Sequence, residues 1–230
     1  MLLAWFSMAC ISGFVILSAI LLLSNPDIQV LQFSLSRYGF APNGFLLTIG
    51  LLLMGTAEII IGLYFYTSSE RGFKWLSFFL SVMGITAIIT GILPMDIEPA
   101  KTVPGIIHIY AAGIQFVLFP ASSGLFGICK IKTRLGRFSV SISVTAITIL
   151  PFITLTILSE NPRFFPVYGL IQKVYILLIV TWLAAISILM LKGQDWNWYK
   201  SWIDISFIIF FYDLPGSSFH RILINKLSPI

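Results

Sequence analysis

Gly91–Gln115, GILPMDIEPAKTVPGIIHIYAAGIQ, is where one long apolar run ends, a short polar connection crosses, and a second apolar run begins with a histidine just inside it. Asp96, Glu98, Lys101 and His108 fall within thirteen residues, punctuated by Pro94, Pro99 and Pro104, while the runs on either side hold almost no ionisable group. Two runs of bilayer-spanning length joined by so short a loop read as two membrane helices. The stretch therefore sets the fold class, all-α and membrane-integral, and it holds most of the interpretable chemistry.

Composition agrees. Of 230 residues, 58% are hydrophobic and 10% charged, and the mean hydropathy is +0.97, which leaves too little polar surface to coat a soluble globule of this size. The expected partner is the lipid bilayer. The net charge of +5 does not point to nucleic acid, because Lys130, Lys132, Arg134 and Arg137 place four of the fourteen positive charges in one connection, where they act first as a topology signal. Cys10 and Cys129 lie inside or at the end of apolar runs and supply neither a disulfide framework nor a thiolate metal site. The opening run Met1–Leu23 lacks a basic start and a small-residue cleavage site before Asn25-Pro26, so it is expected to be a helix of the mature protein.

Taking about 20 apolar residues per crossing, spans are predicted at about 2–23, 43–66, 75–93, 105–128, 138–158 and 173–191. The fifth run begins SVSISVTAIT, an alternation that in isolation suits a strand, but its length and neighbours favour a helix, with Pro151 as a candidate kink. The six helices form one domain, 1–191, followed by a cytoplasmic or interfacial tail, 192–230. In that tail Ile205–Tyr212 is too short to span, and Trp196, Trp198, Tyr199 and Trp202 suit the headgroup level. Alternate connections carry eight Lys and Arg (Arg71, Lys74, Lys130, Lys132, Arg134, Arg137, Lys192, Lys200) against four (Arg37, Lys101, Arg163, Lys173). The positive-inside rule then predicts both termini in the cytoplasm and the Gly91–Gln115 loop facing outward.

Few side chains carry chemistry. Glu58 is the one carboxylate deep in a span, where a charge is expensive unless it is protonated, paired or watered. It is a candidate proton- or cation-coupling group, or a glutamic acid bonded to a neighbouring helix. Gly55, Glu58 and Gly62 share a face, which lets a second helix approach closely. His108 and Gln115, seven residues apart, form a polar stripe below the loop. Asp96, Glu98 and His108 are the donor types of a divalent-metal site or of an acid–base pair, or else a turn cap and an interfacial histidine. A rise of 1.5 Å per residue puts His108 roughly 13 Å above the midplane and Glu58 roughly 5 Å below it, so the two are expected not to touch. Ser36 is a candidate nucleophile with His108 as base, although no Gly-x-Ser-x-Gly turn surrounds it. Gln115, Arg37 and Lys173 are candidate ligand contacts on the same side, for a lipid or another small molecule.

The G-I-L-P-M-D turn, the histidine twelve residues after its aspartate, S-R-Y-G before the second helix and G-L-I-Q-K opening the sixth occur in the order of a known family. Over roughly residues 5–191 the chain resembles the multi-pass prokaryotic membrane family called domain of unknown function 998. That resemblance implies about six membrane helices in a prokaryotic plasma membrane and an unestablished activity, with Asp96 and His108 at motif positions. Lys173 stands where the similar motif has arginine, and the tail after Leu191 does not resemble the family. Three functions stay open: a membrane-embedded hydrolase acting on lipid or peptide, a transporter using Glu58, and a non-catalytic accessory subunit.

Overall fold

A computed structural model describes residues 2–28, 31–67, 71–96, 102–158 and 167–192. The described residues contain six long helices and no strand: α1 Leu2–Leu23, α2 Phe45–Tyr66, α3 Arg71–Ile92, α4 Val103–Cys129, α5 Arg134–Leu158 and α6 Tyr168–Lys192. All six are long and apolar enough to cross a membrane, so the chain is an integral, multi-pass membrane protein. The alternating start of the fifth run is helical, and Pro151 lies within α5. A short 3-10 helix, Leu35–Phe40, interrupts the connection from α1 to α2. The predicted interfacial helix of the tail lies outside the described residues, as do Glu98 and Lys101.

Helices adjacent in sequence pack against each other from α1 through α5, and small residues set how closely. A side-chain carbon added to Gly55 would run into the Gly84 backbone carbonyl, and one added to Gly84 into that of Gly55. Gly62 lies close to Ser77 and Ser81, and Gly91 to Thr48 and Leu51. With apolar lipid as solvent, such dispersion contacts between backbones hold helices together where burial of apolar surface cannot. The apolar surface left outside, including Trp5, Phe45, Trp75, Tyr110 and Val144, suits contact with lipid.

The sixth helix closes the bundle through buried polar bonds. Ser187 meets Ser7 of α1 at 2.8 Å, Trp182 Nε1 donates to Ser139 Oγ of α5 at 2.9 Å, and Tyr175 Oη donates to the Phe116 carbonyl of α4 at 2.6 Å. The last of these has a cause in sequence. Pro120 lies inside α4 and has no N–H to give the carbonyl four residues earlier. That carbonyl belongs to Phe116, and Tyr175 supplies the missing donor. Phe116, Tyr175, Phe119, Trp182, Phe126 and Phe65 then follow one another edge to face, with ring centroids 5.2–6.3 Å apart.

Gly84→Ala is expected to destabilise the solubilised protein by about 1–3 kcal/mol through overpacking. Gly113→Ala, where an added carbon meets nothing within 4 Å, is expected to be neutral or stabilising by up to about 1 kcal/mol. Thermal unfolding in detergent compares the two, and equal midpoints would refute the close α2–α3 contact.

Candidate functional site

The polar residues converge at the end of the bundle that carries the 3-10 helix and the start of α4. There α3 ends at Ile92, and the Leu93 carbonyl, beyond the last turn, takes its bond from a side chain. His108, in the second turn of α4 and buried, places Nδ1 2.8 Å from that carbonyl and Nε2 3.2 Å from Ser36 Oγ. A carbonyl only accepts, so the neutral ring carries its proton on Nδ1 and turns the Nε2 lone pair toward the serine hydroxyl.

Ser36 is held in place from α6. Gly169 presses directly on the Phe33 backbone, leaving no room for a side chain, and Leu170 N–H donates to the Leu31 carbonyl at 3.1 Å. Leu35 N–H donates to Gln172 Oε1 at 2.8 Å, and Lys173 Nζ donates to the Phe33 carbonyl at 2.6 Å. The G-L-I-Q-K motif is thus the clamp for the segment that contains S-R-Y-G. Tyr38, fully buried behind it, donates to the Ile28 carbonyl at 3.1 Å. Burial pushes its phenol up, which keeps it a donor.

Below the Ser36–His108 pair lies a cavity of about 40 Å³, lined by Ser36, Thr90, Gln115 and Gln172 among apolar residues such as Met54 and Phe116. Glu58, fully buried, accepts from Gln115 Nε2 at 3.2 Å. The partner of Glu58 is thus Gln115, seven residues along α4 from His108, while His108 bonds to Leu93 and Ser36. The Gly55–Glu58–Gly62 face divides its work. Its glycines meet α3, and its carboxyl turns to α4.

Of the two positions the sequence offers Asp96, beside the imidazole or capping the turn, it takes the cap. Its two oxygens accept from Thr102 N–H at 3.0 Å and Thr102 Oγ1 at 2.7 Å, and the carboxylate rests on Gly105, which has no side chain to obstruct it. Thr102 caps α4 in turn, accepting from Gly105 N–H at 3.2 Å. The reason is the unsatisfied N–H groups and positive dipole end at a helix start, which draw a carboxylate more directly than a neutral ring does. Asp96 acts on His108 through space.

Both imidazole nitrogens and both Asp96 oxygens face protein groups, no cluster of three metal-ligating side chains occurs among the described residues, and Glu98, the third member of the candidate metal set, lies outside them. Arg37 lies against the Phe33 and Phe40 rings, 5.6 and 5.8 Å from their centres. Lys173 is drawn into the clamp. Gln172 is legible in the sequence as a polar group beside Lys173 at the outward start of the sixth run, whereas the Leu93 carbonyl, a backbone atom, leaves no signal there.

Gln115→Leu is expected to cost about 1–3 kcal/mol by stranding the buried Glu58 carboxyl. The double replacement Glu58→Leu with Gln115→Leu is expected to cost less than the sum of the single changes, because it removes both polar partners together. A double-mutant cycle on thermal unfolding measures this, and strict additivity would show that the two side chains are not coupled.

No curated protein and no solved structure matches the chain. A family described as "Protein of unknown function (DUF998)" matches residues 8–189. That span takes in the 3-10 helix, the α3–α4 turn, His108, Gln115 and the clamp residues of α6, and the chain belongs to this family.

Proposed function

We propose that this membrane protein is a hydrolase of the prokaryotic plasma membrane, in which Ser36 is the nucleophile and His108 the general base, acting on an acyl compound at the outer leaflet. The observation that carries this is the Ser36 Oγ–His108 Nε2 approach of 3.2 Å, with the opposite ring nitrogen anchored to the Leu93 carbonyl at 2.8 Å. A hydroxyl becomes an effective nucleophile when a base within hydrogen-bond reach is itself oriented by a third group. Here a backbone carbonyl takes the orienting part, and Asp96 supplies a negative charge nearby that favours the imidazolium formed as the proton moves. The outward orientation rests on the excess of Lys and Arg on the opposite side. On this reading both termini are cytoplasmic, and residues 192–230 form a tail on that side.

A second reading, proton- or cation-coupled transport through Glu58, is favoured by the burial of that carboxyl beside a cavity-lining glutamine. Two features favour the hydrolase over it. The aromatic series from Phe116 to Phe65 fills the space between α4, α6 and α2 with rings, and Glu58 has a neutral partner rather than a second ionisable group.

A fluorophosphonate probe is expected to label the wild-type protein at Ser36, and labelling is expected to vanish in Ser36→Ala and to drop by about 10²–10⁴-fold in rate in His108→Ala. Glu58→Gln is expected to label normally. Labelling of Ser36→Ala at the wild-type rate would exclude Ser36 as the nucleophile, and solute or proton flux in proteoliposomes that is abolished by Glu58→Gln would favour transport instead.

A further inference from the structure

Gln172 is 7% exposed and lines the cavity that also receives Ser36. Its Oε1 accepts from Leu35 N–H at 2.8 Å. A backbone N–H can only donate, so the bond determines which end of the carboxamide is oxygen, and Nε2 is left with no acceptor among the described residues. Buried donors are nearly always paired, and one that is not asks for a ligand or a water. The cavity beside it measures about 40 Å³, against roughly 150 Å³ for an engineered cavity that admits benzene. It has room for about three water-sized atoms, the size of an acetyl group, with Met54 and Phe116 as apolar wall.

We propose that this cavity is the acyl pocket for a short-chain ester, acetyl in size, and that Gln172 Nε2 donates to the ester carbonyl oxygen. The proposal rests on the Ser36–His108 reading and adds its substrate class. Ser36 Oγ bonds to the carbonyl carbon as its proton passes to His108 Nε2, and the negative oxygen that forms accepts from Gln172 Nε2. The bond to the alcohol oxygen breaks, and that oxygen takes the proton from His108. Water then gives a proton to His108 and adds to the acyl carbon. The short carboxylic acid leaves, and Ser36 recovers its proton. A chain of eight carbons does not fit the pocket.

The test uses the full chain in lipid nanodiscs with p-nitrophenyl acetate, butyrate and octanoate. Wild-type kcat/KM is expected to fall at least about tenfold from acetate to octanoate, a discrimination of the size that a few methylenes give. Gln172→Glu keeps the oxygen that Leu35 requires and loses the donor. It is expected to lower kcat by about 10²–10³-fold with an unchanged KM. Met54→Ala is expected to move the preference toward butyrate. A preference for octanoate, or wild-type kcat in Gln172→Glu, overturns the acyl pocket while leaving the serine reading intact. Absence of turnover of every ester by folded wild-type protein, together with no fluorophosphonate on Ser36, overturns the serine reading and the pocket with it.

Discussion

Inside a bilayer a backbone N–H or C=O that leaves the helical pattern has no water to turn to, so its partner has to come from the protein. This constraint accounts for most of the polar side chains that the bundle buries at its ends and breaks. Pro120 orphans the Phe116 carbonyl, and Tyr175 answers it. The end of α3 leaves the Leu93 carbonyl, and His108 answers it. The irregular chain before α2 offers the Phe33 carbonyl and the Leu35 N–H, which Lys173 and Gln172 take. In each case a helix lends a side chain to a segment that cannot satisfy itself.

The same constraint assembles the candidate site. A histidine recruited by a stray carbonyl has one nitrogen fixed and the other free to face inward, where Ser36 stands. A glutamine recruited by a stray N–H has its oxygen fixed and its amide nitrogen left over. In each of these side chains one end is bound to the backbone, while the other faces Ser36 in the case of His108 and the side chain of Gln172 lines the cavity. Asp96 follows the other half of this logic. The start of α4 presents donors, and the carboxylate goes to them.

Glycine contacts make this geometry possible further along the bundle. Because α2 and α3 touch backbone to backbone at Gly55 and Gly84, α2 is held at a rotation that turns Glu58 away from α3 and toward Gln115 on α4. The rings that follow Gln115 along α4 and α6 then fill the space between these helices. Ser36, His108, Gln172 and the cavity lie toward the end of the bundle that carries the 3-10 helix, an arrangement suited to a site reached from one side.

By itself the sequence determines the six crossings, because roughly 20 apolar residues per span is a demand of the bilayer and not of any partner helix. The boundaries it implies fall short at charged positions. The third and sixth helices begin at Arg71 and Tyr168 rather than near Trp75 and Lys173, since a long basic side chain can reach a carbonyl or the interface without ending its helix. The shared faces of His108 with Gln115 and of Gly55 with Glu58 were equally legible, being consequences of helical periodicity. Only the tertiary structure decides who meets whom. His108 finds Leu93 and Ser36 rather than Asp96, and Glu58 finds Gln115, across separations of 15, 72 and 57 residues. Such pairings depend on how each helix is rotated against its neighbours and on backbone groups that have no letter in the sequence.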